Sequence, residues 1–157
     1  MRVSPLESGQ NRLAILRKLK DHLTSQRNKF YDYLTLLELE EADIAEGDFV
    51  TLKIHTEMEK EVLEGISAFQ KVIDPLEELY RNCPSSTGSF PGEQELPDLR
   101  DGIARLKTRV QERNSRNRKL LSDRMEELKR EILSIRRPFQ QNSQFVSPSP
   151  SLIDITT

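Results

Sequence analysis

Two histidines and one cysteine are the side chains of this 157-residue sequence best suited to metal binding or nucleophilic catalysis. His55 and Glu59 lie four residues apart, a spacing that places both on one face of a helix. A structural zinc ion needs about four ligands, and no cysteine or further histidine is available to complete the set. The spacing therefore predicts a solvated His–Glu pair with no metal. Cys83 is predicted to be an incidental loop thiol, because a single cysteine excludes an internal disulfide.

Signatures of nucleotide binding and of acid–base catalysis are missing as well. Neither G-x-x-x-x-G-K-S/T nor G-x-G-x-x-G occurs, so nothing in the sequence indicates a loop that cradles phosphates. The many carboxylates stand beside Lys and Arg on predicted helix exteriors, where they stay ionised and screened. We therefore predict a protein that is not an enzyme, with no cofactor and no small-molecule ligand.

A basic stretch at residues 113–119 is the segment best suited to nucleic-acid phosphates. Charge is divided along the chain: residues 1–97 carry 11 Lys and Arg against 18 Asp and Glu, whereas residues 98–137 carry 13 against 7. The acidic part would repel a polyanion, and no aromatic residues interleave with the basic stretch to stack on bases. Ion pairs within one helical bundle are the favoured interpretation, and nucleic-acid binding is the less favoured alternative.

The elements that must position these residues are predicted to be long amphipathic helices. Hydrophobic residues make up 35% and charged residues 32% of the chain, against roughly 45–50% and about 25% in ordinary globular domains. Such a composition supplies narrow apolar stripes on charged helices rather than a thick layered core. No apolar run approaches the roughly 20 residues of a membrane span, and the N-terminus lacks the apolar region of a signal peptide. We therefore expect a cytoplasmic protein without membrane insertion.

Heptad spacing predicts an all-α fold with a long antiparallel helical hairpin and a third long amphipathic helix. One heptad position of the first helix is apolar five times in succession, at Leu16, Leu23, Phe30, Leu37 and Ile44. The neighbouring position is interrupted by Lys20, Arg27 and Glu41. Gly47 allows a left-handed turn and Asp48 can cap the next helix, so the first two helices should be antiparallel. The predicted helices span about residues 6–45, 48–81 and 98–136.

The second helix carries two irregularities. His55 and Glu59 fall on its core-facing seam, so we expect that end of the hairpin to be loose or wet. Pro75 lies inside the pattern and cannot donate a backbone hydrogen bond, which predicts a kink with the helix continuing to about Arg81. Residues 82–95 are rich in Pro, Gly and Ser and are predicted to form a loop.

The third helix contains two apolar patches separated by a polar stretch in which Asn114 and Asn117 fall on the seam. A polar seam residue can fix register or partner choice at a cost in stability. The alternative is that the helix leaves the bundle there, so that both asparagines are wet. Under either interpretation, few side chains of the bundle are expected to cover the second apolar patch, Leu121–Ile135. An uncovered apolar helix face is typical of a partner-binding site.

The last part of the chain is rich in Gln, Asn, Ser and Pro. It predicts a disordered tail at residues 137–157, after a helical bundle domain at residues 1–136. Apolar side chains are spaced along this tail, which is typical of a short binding motif and also of a degraded terminus. The tail is therefore predicted either to dock on a partner or to be inert.

Four phrases of the sequence carry a resemblance to a known family. They are HTEMEKE at 55–61, QKVIDPLE at 70–77, ERN with NRKLL at 112–121, and PSLIDI at 150–155. With these phrases the chain resembles the FlgN family of flagellar type III export chaperones. Members of that family pair a long helical hairpin with a charged C-terminal helix and a disordered tail. The resemblance extends over most of the chain apart from the predicted loop.

The resemblance implies a function. Family members bind the C-terminal helical segments of flagellar hook-filament junction proteins, prevent their premature assembly and deliver them to the export gate. By this resemblance the cargo-binding residues are Leu121, Met125, Leu128, Ile132 and Ile135. The residues expected to dock at the export apparatus are Phe145, Leu152, Ile153 and Ile155. The alternatives are a structural coiled-coil adaptor that self-associates and, less favoured, a nucleic-acid-binding helical protein.

Overall fold

Three long helices make up the structure. The computed structural model describes residues 4–84 and 89–142, and no strand occurs in that part of the chain. The prediction of an all-α fold is therefore confirmed. The helices are α1 (Pro5–Glu46), α2 (Phe49–Asn82) and α3 (Glu95–Asn142).

The chain divides into two compact units, and the boundary lies within α3. The first unit, Met1–Leu120, contains α1, α2 and the N-terminal part of α3. The second unit, Leu121–Thr157, contains the C-terminal part of α3. Within the first unit α1 and α2 pack closely against each other along their length, which confirms the predicted helical hairpin.

The turn between α1 and α2 is formed by two residues with the predicted roles. Gly47 adopts φ 75° and ψ 21°, a left-handed conformation that glycine reaches without steric cost. Its N–H donates to the Ile44 carbonyl at 3.2 Å. The Asp48 carboxylate accepts a hydrogen bond from the Thr51 N–H at 3.0 Å and so caps α2. Because only two residues separate the helices, α2 returns along α1.

α2 continues through Pro75 to Asn82, close to the predicted end. A proline inside a helix cannot donate to the carbonyl four residues before it, and its ring crowds that carbonyl, at a cost of about 3 kcal/mol. Ile73, two residues earlier, is only 2% exposed. Burying a side chain of this size contributes about 1.5–3 kcal/mol, so packing at this point offsets much of the cost of the proline.

The core of the first unit is one apolar cluster to which all three helices contribute. Every member of the predicted five-residue stripe on α1 is buried, which confirms that stripe. Partly buried residues of α2 pack against the cluster, including Val62, Ile66, Phe69, Leu76 and Tyr80. The side chains that α3 contributes are Leu96, Ile103, Leu106 and Val110.

Arg12 joins the N-terminal part of α1 to the connection between α2 and α3. Its guanidinium donates to Glu93 Oε1 at 3.1 Å and to the Cys83 carbonyl at 2.7 Å. It also lies over the Tyr80 ring, 4.3 Å from the centroid. The Tyr80 hydroxyl donates to the same Glu93 oxygen at 2.6 Å, and together with Arg12 it lowers the pKa of Glu93 below its ordinary value. These contacts attach the residues that precede α3 to the hairpin.

α3 differs from its predicted bounds at both ends. It begins at Glu95 rather than near residue 98, because Leu96 in its first turn is buried in the core. Pro97 is tolerated there, since the first N–H groups of a helix have no intrahelical acceptor. At the other end α3 continues to Asn142, beyond the predicted end at residue 136. Of the predicted tail, the first six residues continue the helix and the remainder lies outside the described residues.

Candidate functional site

The second unit has an exposed apolar face on α3. None of its described side chains is buried. Leu121 and Leu128 are half-buried, whereas Met125, Ile132 and Ile135 are 53%, 51% and 61% exposed. These five residues, predicted as the cargo-binding set, are spaced four, three, four and three apart and therefore lie along one side of the helix. We call this set the apolar face.

Among the described residues of the second unit, Leu133 is an exposed apolar side chain that lies off the apolar face. Leu133 is 58% exposed, close to the 51% of Ile132. With 3.6 residues per turn, it points about 100° around the helix from Ile132. The two residues therefore form a matched pair, alike in chemistry and exposure but directed to different sides of α3.

Charged side chains border the apolar face along both edges. Helical spacing places Lys129 and Arg136 at one edge and Arg124 and Glu131 at the other. The Arg124 guanidinium donates to Glu127 at 3.0 Å, and its Nε has no hydrogen-bond partner among the described residues. Because three of the four bordering charges are basic, the apolar face suits a partner whose own apolar stripe is bordered by carboxylates.

In the first unit, the asparagines on the seam of α3 are hydrogen-bonded to α1. Asn117 is 4% exposed, and its Nδ2 donates to the Leu37 carbonyl at 2.7 Å. Asn114 Nδ2 donates to the Tyr33 hydroxyl oxygen at 3.3 Å. The alternative in which both asparagines are wet is therefore wrong. A buried polar group without a partner costs about 1–3 kcal/mol, so these bonds favour one register of α3 on α1.

Arg113 provides ion pairs between the basic part of α3 and the acidic α1. Its Nη1 donates to Glu41 at 2.7 Å and its Nη2 to Glu38 at 3.1 Å. The favoured interpretation of the charge division, ion pairs within one bundle, is confirmed for this residue. Arg116 and Arg118 of the same basic stretch are exposed.

A second heptad position of α1 is also buried. Leu19, Gln26, Tyr33 and Glu40 are each seven residues apart and are 0%, 2%, 4% and 6% exposed. Leu19 and Tyr33 were expected to widen the apolar stripe, but burial of the polar Gln26 and Glu40 was not predicted. Heptad spacing was the available signal, but a polar residue at two of the four positions concealed it.

At the hairpin end near Gly47 the seam residues His55 and Glu59 are partly buried and paired, which corrects the expectation that their positions are wet. His55 Nδ1 lies 2.5 Å from Asp43 Oδ2, with side-chain exposures of 17% and 11%. The Tyr33 hydroxyl donates to Glu59 Oε1 at 2.6 Å. The predicted solvated His–Glu pair is also wrong, because each of the two residues has its own partner on α1. Spacing along α2 alone cannot reveal partners on another helix.

These side chains and one more carboxyl group form a polar cluster, which we define as Tyr33, Glu40, Asp43, His55 and Glu59. Burial, followed by the neighbouring carboxylates of Glu59 and Asp43, raises the pKa of Glu40 to about 7. Glu40 Oε1 has no hydrogen-bond partner among the described residues. Burial and the bond to Glu59 also raise the pKa of Tyr33 above its ordinary value. The expectation that the carboxylates are all ionised on helix exteriors is therefore wrong for Glu40.

Three further predictions concern metals, membranes and the tail. Within residues 4–84 and 89–142, no group of three or more His, Cys, Asp or Glu side chains is arranged to hold a metal ion. No helix in the described part of the chain has both the length and the apolar character needed to cross a membrane. The residues predicted to dock at the export apparatus lie outside the described residues; they are Phe145, Leu152, Ile153 and Ile155.

Comparison with known proteins finds a relative in a spirochaete. The chain is 33% identical over 126 residues to a protein of Treponema pallidum (strain Nichols) described as an uncharacterized protein. The alignment covers 80% of this chain and 78% of that protein. No family model matches the chain, and no solved structure matches it.

Proposed function

We propose that this chain, which belongs to the same family as the Treponema pallidum protein, is a cytoplasmic, non-enzymatic chaperone that binds an amphipathic helix of another protein. The observation that carries the proposal is the apolar face of the second unit. Its residues are spaced like a core seam, yet three of the five are more than half exposed. An apolar helix stripe bordered by charges is typical of a surface that a second amphipathic helix covers.

The free-energy cost of association sets a lower limit on how much of the apolar face a partner must cover. Covering the exposed halves of Met125, Ile132 and Ile135 contributes about 1 kcal/mol for each side chain. Association itself costs at least about 4 kcal/mol in lost freedom of motion. These three side chains alone would therefore not give a stable complex. The partner must also cover Leu121 and Leu128, and it gains further from carboxylates placed against the basic borders.

The resemblance to the FlgN family supplies the proposed cargo. Under this proposal the helix that binds the apolar face belongs to the C-terminal segment of a flagellar hook-filament junction protein. Binding would cover the stripe with which the cargo assembles, and would so prevent premature assembly. The apolar residues after Asn142 would then dock at the export gate. Nucleic acid, metal and small molecules have no part in this mechanism.

A binding titration with a matched pair of variants tests the proposal. The full chain is titrated by calorimetry with a peptide of the C-terminal helix of a hook-filament junction protein from the same organism. We expect Ile132→Asp to weaken binding at least about tenfold, because it places a charge at the centre of a desolvated contact. Leu133→Asp adds the same charge at equal exposure on another side of α3, so it should bind like the unmodified chain.

Two outcomes would contradict the proposal. Equal losses with both variants would mean that charge, rather than the apolar face, controls binding. Absence of peptide binding together with self-association, measured by light scattering and abolished by Ile132→Asp, would favour the coiled-coil adaptor. The adaptor is the second candidate because the heptad-like spacing of the apolar face also suits pairing between copies of the chain.

A further inference from the structure

We propose that the buried carboxyl group of Glu40 holds a proton beside Glu59 at the hairpin end, and that loss of this proton loosens the attachment of α3 to the hairpin around Asn114. This inference concerns the first unit only. It does not depend on the proposed cargo or on the apolar face. It assigns the polar cluster a regulatory role, as a proton-sensitive contact among three helices.

The surroundings of Glu40 favour a bound proton. Glu40, on α1, is 6% exposed, and its Oε1 has no hydrogen-bond partner among the described residues. The half-buried Glu59 of α2 adds a negative charge beside it. Because burial and a nearby like charge both disfavour an ionised carboxylate, Glu40 binds a proton more tightly than usual. A protonated Glu40 has an O–H that can donate to Glu59. Without that proton, Glu40 and Glu59 both present only hydrogen-bond acceptors, so no hydrogen bond can form between them.

Two hydrogen bonds connect Glu59, the residue beside protonated Glu40, to α3. Tyr33 donates to Glu59 at 2.6 Å, and Asn114 of α3 donates to the Tyr33 oxygen at 3.3 Å. The Tyr33 hydroxyl therefore accepts from α3 and donates to α2. If repulsion from Glu40 displaces Glu59, Tyr33 loses its acceptor. The orientation of its hydroxyl toward Asn114 is then no longer fixed by the bond to α2.

The other charged groups around the cluster do not neutralise the pair. Asp43 adds a further negative charge near Glu40, and its own partner is His55. From α3, Arg118 is the cation that acts on Tyr33. Arg113 is bonded to Glu38 and Glu41. Binding of a proton is therefore the way in which the structure relieves the repulsion between Glu40 and Glu59.

The experiment measures the titration and its effect on α3 in the same protein. Carbon-13 shifts of the glutamate carboxyl groups in the full chain give the titration midpoint of Glu40. Amide hydrogen exchange at residues 110–120, corrected for the intrinsic pH dependence of exchange, reports the attachment of α3. We expect Glu40 to titrate near pH 7 and the protection of these amides to fall about tenfold between pH 6 and pH 8.

Three variants separate the proton on Glu40 from other causes of a pH response. Glu40→Gln supplies a permanent donor, so protection at residues 110–120 should be high at both pH values. Glu46→Gln, an exposed change on the same helix, should keep the response of the unmodified chain. Glu59→Gln removes the second charge and should move the midpoint of Glu40 toward lower pH. This last variant remains informative if Glu40→Gln fails to fold.

Either of two results would overturn the proposal. The first is titration of Glu40 in the ordinary range of a glutamate, close to pH 4.5. The second is a pH response at residues 110–120 that persists unchanged in Glu40→Gln. Loss of peptide binding to the apolar face would not bear on this test, because the second unit takes no part in it.

Discussion

The two parts of α3 share one amphipathic pattern but differ in how that pattern is buried. In the first unit Ile103, Leu106 and Val110 are at most 6% exposed, and even the polar Asn117 is 4% exposed. In the second unit Ile135, at an equivalent apolar position, is 61% exposed. A polar seam residue is thus buried while an apolar one is not. Burial follows from which helices surround a position, and the hydrophobicity of the residue at that position does not decide it.

One helix therefore contributes to a core in one part and leaves an apolar stripe exposed in another. The first part contributes to a shared core and finds partners for its polar groups, so changes there should alter the free energy of unfolding. The second part has an apolar stripe with no buried member, so changes there should alter binding and leave unfolding nearly unaffected. Matched substitutions along α3 test whether the two parts differ in this way.

The largest effect is expected from truncating a core residue of α3. Leu106→Ala removes buried methyl groups and leaves a cavity, which should lower the free energy of unfolding by about 2–5 kcal/mol. Ile132→Ala, on the apolar face, should change it by less than about 0.5 kcal/mol. Urea unfolding of both variants, followed by circular dichroism, checks the difference. Similar losses in both would mean that the second unit is as tightly packed as the first.

The next largest effect is a pH dependence caused by Glu40. The pKa of Glu40 in the folded chain, about 7, lies above its ordinary value of 4.5, so the folded state binds more protons between these pH values. The stabilising contribution is complete below about pH 4.5 and is lost as the pH rises through about 7, with an upper bound of about 3 kcal/mol. Urea unfolding across this range should show the decline in the unmodified chain. In Glu40→Gln the free energy of unfolding should not decline in this way. An equal decline in that variant would show that Glu40 is not the cause.

The smallest effect is expected at the buried asparagine. Asn117→Ala removes the donor to the Leu37 carbonyl and should lower the free energy of unfolding by about 1–2 kcal/mol. This loss of unfolding free energy is modest because Asn117 Oδ1 has no hydrogen-bond partner among the described residues, so its removal breaks no hydrogen bond. Ser115→Ala, an exposed change two residues away, is the control. An unchanged unfolding midpoint for Asn117→Ala would show that the amide does not contribute to register.

The fold was largely predictable because its signals are local. The five-residue apolar stripe of α1, the left-handed Gly47 and the cap at Asp48 each act within a few residues of their own position. The apolar face was predicted for the same reason, since helical spacing alone places its members on one side of α3. Its role in binding stays a prediction.

The polar cluster was not predictable because its contacts join residues far apart in the chain. Tyr33 and Glu59 are 26 residues apart, and Asn114 is 81 residues from Tyr33. A single sequence gives Glu40 the appearance of an ordinary surface carboxylate beside Glu41. Only the packing of α2 and α3 against α1 determines that one of these neighbours is buried with a raised pKa and the other forms an ion pair with Arg113.

The three helices, the hairpin turn and the apolar side of each helix follow from the amino-acid sequence alone, because backbone propensity and side-chain period are properties of short segments. Packing among the helices determines which polar residues are buried, which carboxyl group has a pKa raised to near neutral and which apolar stripe remains exposed. Those properties depend on the local dielectric and on neighbours from other helices, and both arise only when α1, α2 and the N-terminal part of α3 pack together.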